Sequence, residues 1–157
     1  MSEPNDEQSE GAVPKLKAGL PLDGPRLKAE IERASRHKRH LTMLLVTGGD
    51  EPLHQFLGGG LRTYDVAGEL EDGRMIVLLP EVDLKYARSI TERLAHKAGE
   101  KGLVKQARFY VTTLSQSPEA TPEAWLGAAC KGADGDENPV GHDGSGLMIW
   151  RAKPISH

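Results

Sequence analysis

The chain has 157 residues and a formal net charge of −3 at pH 7, which limits the classes of protein it can be. This length suits one domain with a modest core. The small net charge excludes a general attraction to nucleic acid or anionic membranes, and no apolar run reaches the ~20 residues of a membrane-spanning helix. Cys130 is the single cysteine, so there is no disulfide framework and a reduced cytoplasmic location is expected.

Both ends of the chain are expected to lie outside the folded domain. The first residues are polar and acidic, and they offer too little apolar surface to offset the entropy of ordering. We predict a disordered N-terminal tail over residues 1–18, one domain over residues 19–151 and a short C-terminal tail over residues 152–157.

The first part of the domain predicts a helix, a buried strand and a loop. Pro25 suits the first turn of a helix that Asp23 would cap, and apolar residues follow at helical spacing. The apolar run from Leu41 to Val46 indicates a central strand. From Gly48 to Leu61 we expect a loop with one helical turn, in which Gly58-Gly59-Gly60 form a flexible bridge.

The stretch from Arg62 to Pro80 predicts a β-hairpin. Alternating residues from Val66 to Leu70 lead to Asp72-Gly73, a pair that is preferred in two-residue type I′ turns. Such a turn would place Glu71 opposite Arg74 as a cross-strand ion pair. The apolar second strand ends at the proline, which removes a donor from the ladder.

The remainder predicts two helices and two strands. A helix is expected from about Asp83 to Gly99, and the β-rich residues from Ala107 to Leu114 predict a strand. Thr121-Pro122 marks the start of the next helix. A loop is expected over residues 131–145, and Leu147 to Trp150 predicts a closing strand. This order of elements predicts an α+β domain with helices packed against an antiparallel or mixed sheet.

The hairpin and the helix after it resemble the GGDEF domain of diguanylate cyclases, whose hairpin tip carries a Gly-Gly-Asp/Glu-Glu-Phe signature. The matching segments are Ile76-Val77-Leu78-Leu79-Pro80 and Ile90-Thr91-Glu92-Arg93-Leu94. The resemblance implies a GGDEF-like fold of the nucleotide cyclase palm type. In such a fold a central, mainly antiparallel sheet is flanked by helices, and the chain is truncated here in the active-site helices.

The signature itself is degenerate. Its five positions hold Glu71, Asp72, Gly73, Arg74 and Met75. Acidic side chains thus stand where the family has the two glycines that let GTP approach the backbone. The aspartate that binds Mg²⁺ after the first strand of active cyclases is replaced by Thr47, which cannot supply an anionic oxygen. The resemblance therefore implies a protein that is not an enzyme, with no catalytic residues and no metal site.

One ligand-type motif of the family is present. Arg62-Thr63-Tyr64-Asp65 lies five residues before the degenerate signature, at the spacing of the family's RxxD inhibitory site, which binds the product cyclic di-GMP. That site also takes an arginine from the following helix, at the position of Arg93. An arginine fork can bond guanine or a phosphate, and a carboxylate can accept from guanine N–H groups. Arg62, Asp65 and Arg93 are therefore the candidate ligand-binding residues.

Two functions are consistent with these residues. The first is a non-catalytic receptor that binds cyclic di-GMP, needs no cofactor and relays occupancy to an unidentified signalling protein, with a ligand-bridged homodimer as one arrangement. The second is a nucleotide-independent protein-interaction scaffold, in which Arg62 and Asp65 are an unused relic and Arg93 is an ordinary surface residue. Neither function involves nucleic acid or a membrane.

Overall fold

A computed structural model describes residues 14–103, 107–113, 121–135 and 148–151. The helices in these ranges are α1 (Gly24–His37), α2 (Glu51–Gly59), α3 (Leu84–Glu100) and α4 (Pro122–Gly135). The strands are β1 (Leu41–Thr47), β2 (Val66–Glu69), β3 (Met75–Pro80), β4 (Arg108–Thr113) and β5 (Met148–Arg151). Among the described residues, no helix combines the length and apolarity that crossing a membrane requires.

The five strands form one sheet in the order β2-β3-β1-β4-β5, and every neighbouring pair is antiparallel. β1 lies in the centre, where Leu44 is opposite Val77 of β3 on one side and Val111 of β4 on the other. Because β1 and β3 are buried on both faces, their sequences are nearly continuous apolar runs and do not alternate between apolar and polar residues. The predicted α+β architecture with an antiparallel sheet is confirmed.

Helices cover both faces of this sheet and form two apolar layers. The layer under α1 and α4 includes Leu27, Ile31, Met43, Leu45, Ile76, Leu78, Tyr110, Trp125 and Leu126. The layer under α2 and α3 includes Leu44, Val46, Leu53, Leu57, Val77, Leu79, Ile90, Leu94 and Phe109. Successive residues of β1 therefore enter opposite layers, as the two-residue period of a strand requires.

The caps expected from the sequence are present. The Asp23 carboxylate accepts a hydrogen bond from the backbone N–H of Arg26 at 3.0 Å, which caps α1. At α4, the Thr121 hydroxyl accepts from the N–H of Ala124 at 3.0 Å. Each cap satisfies a donor that the first helical turn leaves unpaired.

The loop predicted from Gly48 to Leu61 is wrong, because nine of its residues form α2. Asp50 caps this helix by accepting from the N–H of Leu53 at 3.2 Å. Leu53 and Leu57 are fully buried against the sheet, and burying each contributes about 1.5–3 kcal/mol. That gain exceeds the cost of about 1 kcal/mol for each glycine in a helix, so Gly58 and Gly59 are helical and do not form a flexible bridge.

The predicted hairpin is confirmed, but its turn is wider than the two-residue type I′ turn expected. Leu70 N–H donates to the carbonyl of Arg74 at 2.7 Å, and Gly73 N–H donates to the carbonyl of Leu70 at 2.9 Å. Gly73 has φ 99°, which makes it the left-handed residue of a three-residue loop with a bulge. Glu71 therefore does not pair with Arg74, whose guanidinium instead bonds Asp72 at 2.6 Å.

The C-terminal elements differ from the prediction mainly in length. β4 and β5 occupy the two segments predicted as strands. α4 continues to Gly135, so the predicted loop over residues 131–145 is wrong in its first part. The rest of that loop, residues 136–147, lies outside the described residues, as do residues 1–13 and 152–157 of the two predicted tails.

A segment before α1 covers the edge of β2. Lys17 N–H donates to the carbonyl of Glu69 at 2.8 Å, and Leu22 N–H donates to the carbonyl of Ala67 at 3.0 Å. Residues 15–17, which the sequence assigns to the N-terminal tail, thus pair with the hairpin. Leu22 is fully buried over Gly68, where a Cβ would lie 2.3 Å from the Leu22 carbonyl oxygen. Only glycine allows this approach.

We expect Gly68→Ala to lower the free energy of unfolding by about 1–3 kcal/mol, because the new methyl group overlaps the backbone of Leu22. The matched control is Gly58→Ala on α2, where an added Cβ meets nothing within 4 Å. That variant should gain about 0.5–1 kcal/mol. Denaturant titration followed by circular dichroism measures both changes, and equal losses in the two variants would contradict this packing.

Candidate functional site

Arg62 and Asp65 close the turn that leads into β2. The N–H of Asp65 donates to the carbonyl of Arg62 at 3.0 Å, and the N–H of Arg62 donates back to Asp65 Oδ2 at 2.9 Å. The guanidinium adds Nη2 to Oδ1 at 2.7 Å and Nε to Oδ1 at 3.1 Å. Nη2 also donates to the carbonyl of Pro80 at 3.2 Å. This bidentate ion pair therefore ties the turn before β2 to the end of β3.

The two side chains differ sharply in exposure. The side chain of Asp65 is 1% exposed and that of Arg62 is 36% exposed. Each oxygen of Asp65 accepts two hydrogen bonds, all of them from Arg62, which fills the lone pairs of a carboxylate. The hydrogen bond with Asp65 raises the pKa of Arg62 above its ordinary value. Asp65 thus orients Arg62, and the guanidinium is the part that solvent or a ligand can reach.

Arg62 faces a polar cavity of about 520 Å³, a volume within the range of small-molecule sites. Its other lining residues are Arg26, Glu30, Arg33, Thr63, Tyr64, Pro80 and Glu81. The buried Glu30 carboxylate pairs with Arg26 at 2.9 Å and with Arg33 at 3.2 Å. Three guanidiniums therefore border one cavity, and an internal carboxylate orients two of them.

Two tyrosines lie beside Arg62 on the surface. Tyr64 is 72% exposed and Tyr86 is 51% exposed, and they are the exposed large apolar residues of the part of the chain that is described. Both lie near enough to contribute to the raised pKa of Arg62. The sequence reasoning did not select either residue, although Tyr64 lies inside the Arg62–Asp65 motif and was the available signal.

Arg93 lies in a different place. It is exposed on α3 and lines a cavity of about 590 Å³ at the C-terminal end of α2. The other residues of this cavity are Gln55, Phe56, Gly59, Gly60, Leu94 and Lys97. The structure thus brings Arg62 and Asp65 into direct contact and places Arg93 in a cavity other than the polar one that Arg62 borders.

The sequence reasoning also missed a histidine–glutamate pair. His54 of α2 is 8% exposed, and its Nδ1 lies 3.2 Å from Glu69 Oε2, while Lys17 Nζ lies 3.0 Å from Glu69 Oε1. His54 and Glu69 border a cavity of about 400 Å³ that Arg62 and Asp65 also line. The hydrogen bond from Lys17, and secondly that from His54, outweigh the effect of burial, so the pKa of Glu69 is lowered. No periodic or motif signal marks this pair, because it forms only when α2 packs beside β2.

The five positions that the sequence analysis matched to the signature lie at the hairpin tip. Glu71, Asp72 and Gly73 are exposed, whereas Met75 is buried in the core. Burial acts to raise the pKa of Asp72, but the hydrogen bonds from Arg74 together outweigh it, and the pKa is lowered. Asp72 is therefore an anionic group already engaged by a neighbouring guanidinium.

The residues present do not fit the Mg²⁺ ion that active cyclases use. Thr47 Oγ1 is buried and has no hydrogen-bond partner among the described residues. Within the same residues, no cluster of three or more His, Cys, Asp or Glu side chains could hold a metal ion. A neutral, buried hydroxyl cannot replace the hard anionic oxygen that Mg²⁺ requires.

The arrangement of helices and strands is similar to that of solved GGDEF domains. A sensory box/GGDEF family protein from Caulobacter crescentus matches with a TM-score of 0.52 and 13% identity, over 72% of this chain and 90% of that one. The GGDEF domain of TpbB (YfiN) from Pseudomonas aeruginosa matches with a TM-score of 0.49 and 18% identity, over 68% and 76%. Diguanylate cyclase SiaD from the same organism, in complex with its activator SiaC, matches with a TM-score of 0.47 and 20% identity, over 83% and 63%.

The Caulobacter match indicates the class of fold. No protein-family model matches the sequence, and no curated protein matches it. The Caulobacter protein, at 13% identity, shows the fold alone. The protein has a GGDEF-like α+β fold, and the fold predicted from the hairpin and its following helix is confirmed.

We expect Glu69 to make stability dependent on pH. Because its pKa is lowered in the folded state, its hydrogen bonds stabilise the fold fully above the ordinary glutamate range, and this contribution is lost as the pH falls through the lowered value. Glu69→Gln should therefore be less stable than the wild type at neutral pH, and the difference should shrink as the pH falls below the ordinary glutamate range. Denaturant titrations across this range measure it.

Glu92→Gln is the matched control, because Glu92 pairs with Arg88 at 3.4 Å in an exposed position on α3. Its change in unfolding free energy should stay within about 0.5 kcal/mol at every pH. A deficit of Glu69→Gln that is the same at neutral and acidic pH would contradict the assigned role of Glu69.

Proposed function

We propose that this protein is a non-catalytic signalling domain that binds cyclic di-GMP at Arg62 and relays its occupancy to a protein partner. The observation that carries this proposal is the Arg62 guanidinium, which a buried carboxylate orients at a polar cavity. The protein partner, a ligand-bridged homodimer and a cytoplasmic location stay predictions from the sequence.

The arrangement suits an anionic guanine nucleotide. A guanidinium is planar and always charged, and it bonds a phosphate or the O6 and N7 atoms of guanine in two-point fashion. Arg62 is already oriented by Asp65 and Pro80, so binding orders fewer rotamers and loses less entropy. Arg26 and Arg33, on the same cavity, add positive charge for the phosphates.

The contacts of Asp65 support a positioning role for this residue in the proposed site. Both oxygens of its carboxylate accept hydrogen bonds from Arg62, and the side chain is almost fully buried. In the proposed site Asp65 therefore orients Arg62 and does not accept hydrogen bonds from guanine. Arg93 lines another cavity and contributes little to the affinity of a single ligand bound at Arg62. The proposed site is thus Arg62 with its polar cavity.

The absence of cyclase activity is proposed from the chemistry of two positions. Thr47 offers a buried hydroxyl where a metal-binding carboxylate is needed, and Asp72 at the tip is engaged by Arg74. Phosphoryl transfer depends on a cation that neutralises the charge developing on the phosphates. With these residues, a Mg²⁺–triphosphate complex finds no anionic oxygen at Thr47, and the anionic oxygen at Asp72 already bonds Arg74.

A second candidate is the nucleotide-independent scaffold. The observation that favours it is that Arg62 and Asp65 satisfy each other and Pro80 without any ligand. A pair of this kind stabilises the junction of β2 and β3 whether or not a nucleotide ever binds. In that case the domain would act only through its protein-binding surface.

Calorimetric titration of the full chain with cyclic di-GMP separates the two candidates. We expect saturable binding that Arg62→Ala weakens about 10- to 100-fold, the equivalent of a lost charge-assisted hydrogen bond. Asp65→Asn should weaken binding less, because it loosens the orientation of Arg62 without removing the guanidinium. Arg93→Ala is the matched control on another surface and should bind within about twofold of the wild type.

If titration of the wild type with cyclic di-GMP gives no binding heat, the receptor function is contradicted and the scaffold function is left. Equal losses in Arg62→Ala and Arg93→Ala would contradict the assignment of the site to Arg62 alone. Thermal melts of each variant show whether a loss of binding reflects a loss of folded protein.

We further expect no turnover of GTP. Incubation of the chain with GTP and Mg²⁺ should yield no cyclic di-GMP and no pyrophosphate by chromatography, since neither Thr47 nor the tip can hold the metal-bound triphosphate. Thr47→Asp tests the reason: a single carboxylate should not restore activity, because the tip remains closed by Asp72 and Arg74. Any cyclic di-GMP formed by the wild type would refute the proposed absence of catalysis.

A further inference from the structure

The surface around Arg62 carries two aromatic side chains that the fold does not need. Large apolar residues are normally buried, and on this protein Tyr64 and Tyr86 are the exposed ones within the described ranges. Tyr64 borders the polar cavity with Arg62, and Tyr86 lies in the first turn of α3, the helix that follows the Pro80 carbonyl to which Arg62 donates. Tyrosine and arginine are residue types that are enriched at binding surfaces.

The backbones that carry these rings are rigid. Tyr64 lies inside the turn that the Asp65 N–H and the Arg62 carbonyl close at 3.0 Å. The N–H of Tyr86 donates to Asp83 Oδ1 at 2.8 Å, which fixes Tyr86 in the first turn of α3. The two rings are thus carried by ordered backbone, and binding a ligand there orders little additional chain.

We propose that Tyr64 and Tyr86 stack on the bases of the nucleotide whose edge Arg62 binds, and that they make the site selective for ligands with a planar heterocycle. The inference rests on the proposed function and adds residues to its site. A base presents a π face to an aromatic ring and a polar edge to a guanidinium, so one planar ligand satisfies both kinds of group. A phosphate or a sulfate could use the arginines but not the tyrosines.

The experiment is titration of the full chain with cyclic di-GMP, using Tyr64→Ala, Tyr86→Ala and the matching phenylalanine variants. Each alanine variant should weaken binding about 5- to 150-fold, which corresponds to the ~1–3 kcal/mol of one base stacked on an aromatic ring. Tyr64→Phe and Tyr86→Phe should bind within about threefold of the wild type, because the ring is kept. His96→Ala, at another exposed position on α3, is the control and should leave binding unchanged.

A second readout detects stacking itself. The base proton H8 of the bound nucleotide should move upfield in proton NMR through the ring current of a tyrosine. This shift should be lost in the alanine variants and kept in the phenylalanine variants. If the tyrosines served only stability, the H8 shift would be the same in the wild type, the alanine variants and the phenylalanine variants. Because both rings are highly exposed, we do not expect the alanine variants to lose their fold.

The outcomes separate this inference from the function on which it rests. If the wild type does not bind cyclic di-GMP, both the receptor and the stacking are refuted. If the wild type binds and the alanine variants bind equally well, only the stacking is refuted. Losses in the phenylalanine variants as large as those in the alanine variants would also refute it, because hydroxyl groups and not rings would then hold the ligand.

Discussion

The structure depends on the burial of both faces of its central strand. Met43 and Leu45 enter one apolar layer, and Leu44 and Val46 enter the other. A sheet with such a strand in the middle needs helices on both sides. This need explains why α2 forms from a glycine-containing segment, since Leu53 and Leu57 cover one end of the second layer. Local propensity is outweighed here by the free energy of burial.

The same packing determines where the candidate site lies. After α2 the chain returns to the sheet at its edge, and the turn from Arg62 to Asp65 brings it into β2. Pro80, at the end of the neighbouring β3, accepts a hydrogen bond from Arg62, so one guanidinium both braces the hairpin and borders a cavity. A residue with this double role must be oriented by its own fold before it can bind anything else. The buried carboxylate of Asp65 provides that orientation, and all of its hydrogen bonds are made with Arg62.

Much of the fold was predictable from local patterns, whereas the site was predictable only in part. Caps such as Asp23 and Thr121 act on N–H groups three residues away, so they can be read from the sequence. The hairpin followed from its apolar second strand, but its turn did not follow from Asp72-Gly73, because Asp72 pairs with Arg74 and the loop has one more residue. The motif identified Arg62 and Asp65 as a unit. It did not reveal that Arg93 borders a different cavity.

The sequence by itself determined which segments are buried and where most helices begin, because periodicity and caps are local properties of the chain. The GGDEF-like sheet was expected from the family resemblance of the hairpin and the helix after it. Tertiary structure alone decided which polar groups meet. Two examples are the contact of His54 with Glu69 across fifteen positions and the hydrogen bond from Arg62 to the carbonyl of Pro80 across eighteen positions. The physical reason is that hydrogen bonds and ion pairs depend on distances of a few ångströms between separate elements. Those distances are set by how the helices pack on the sheet and not by any pattern along the chain.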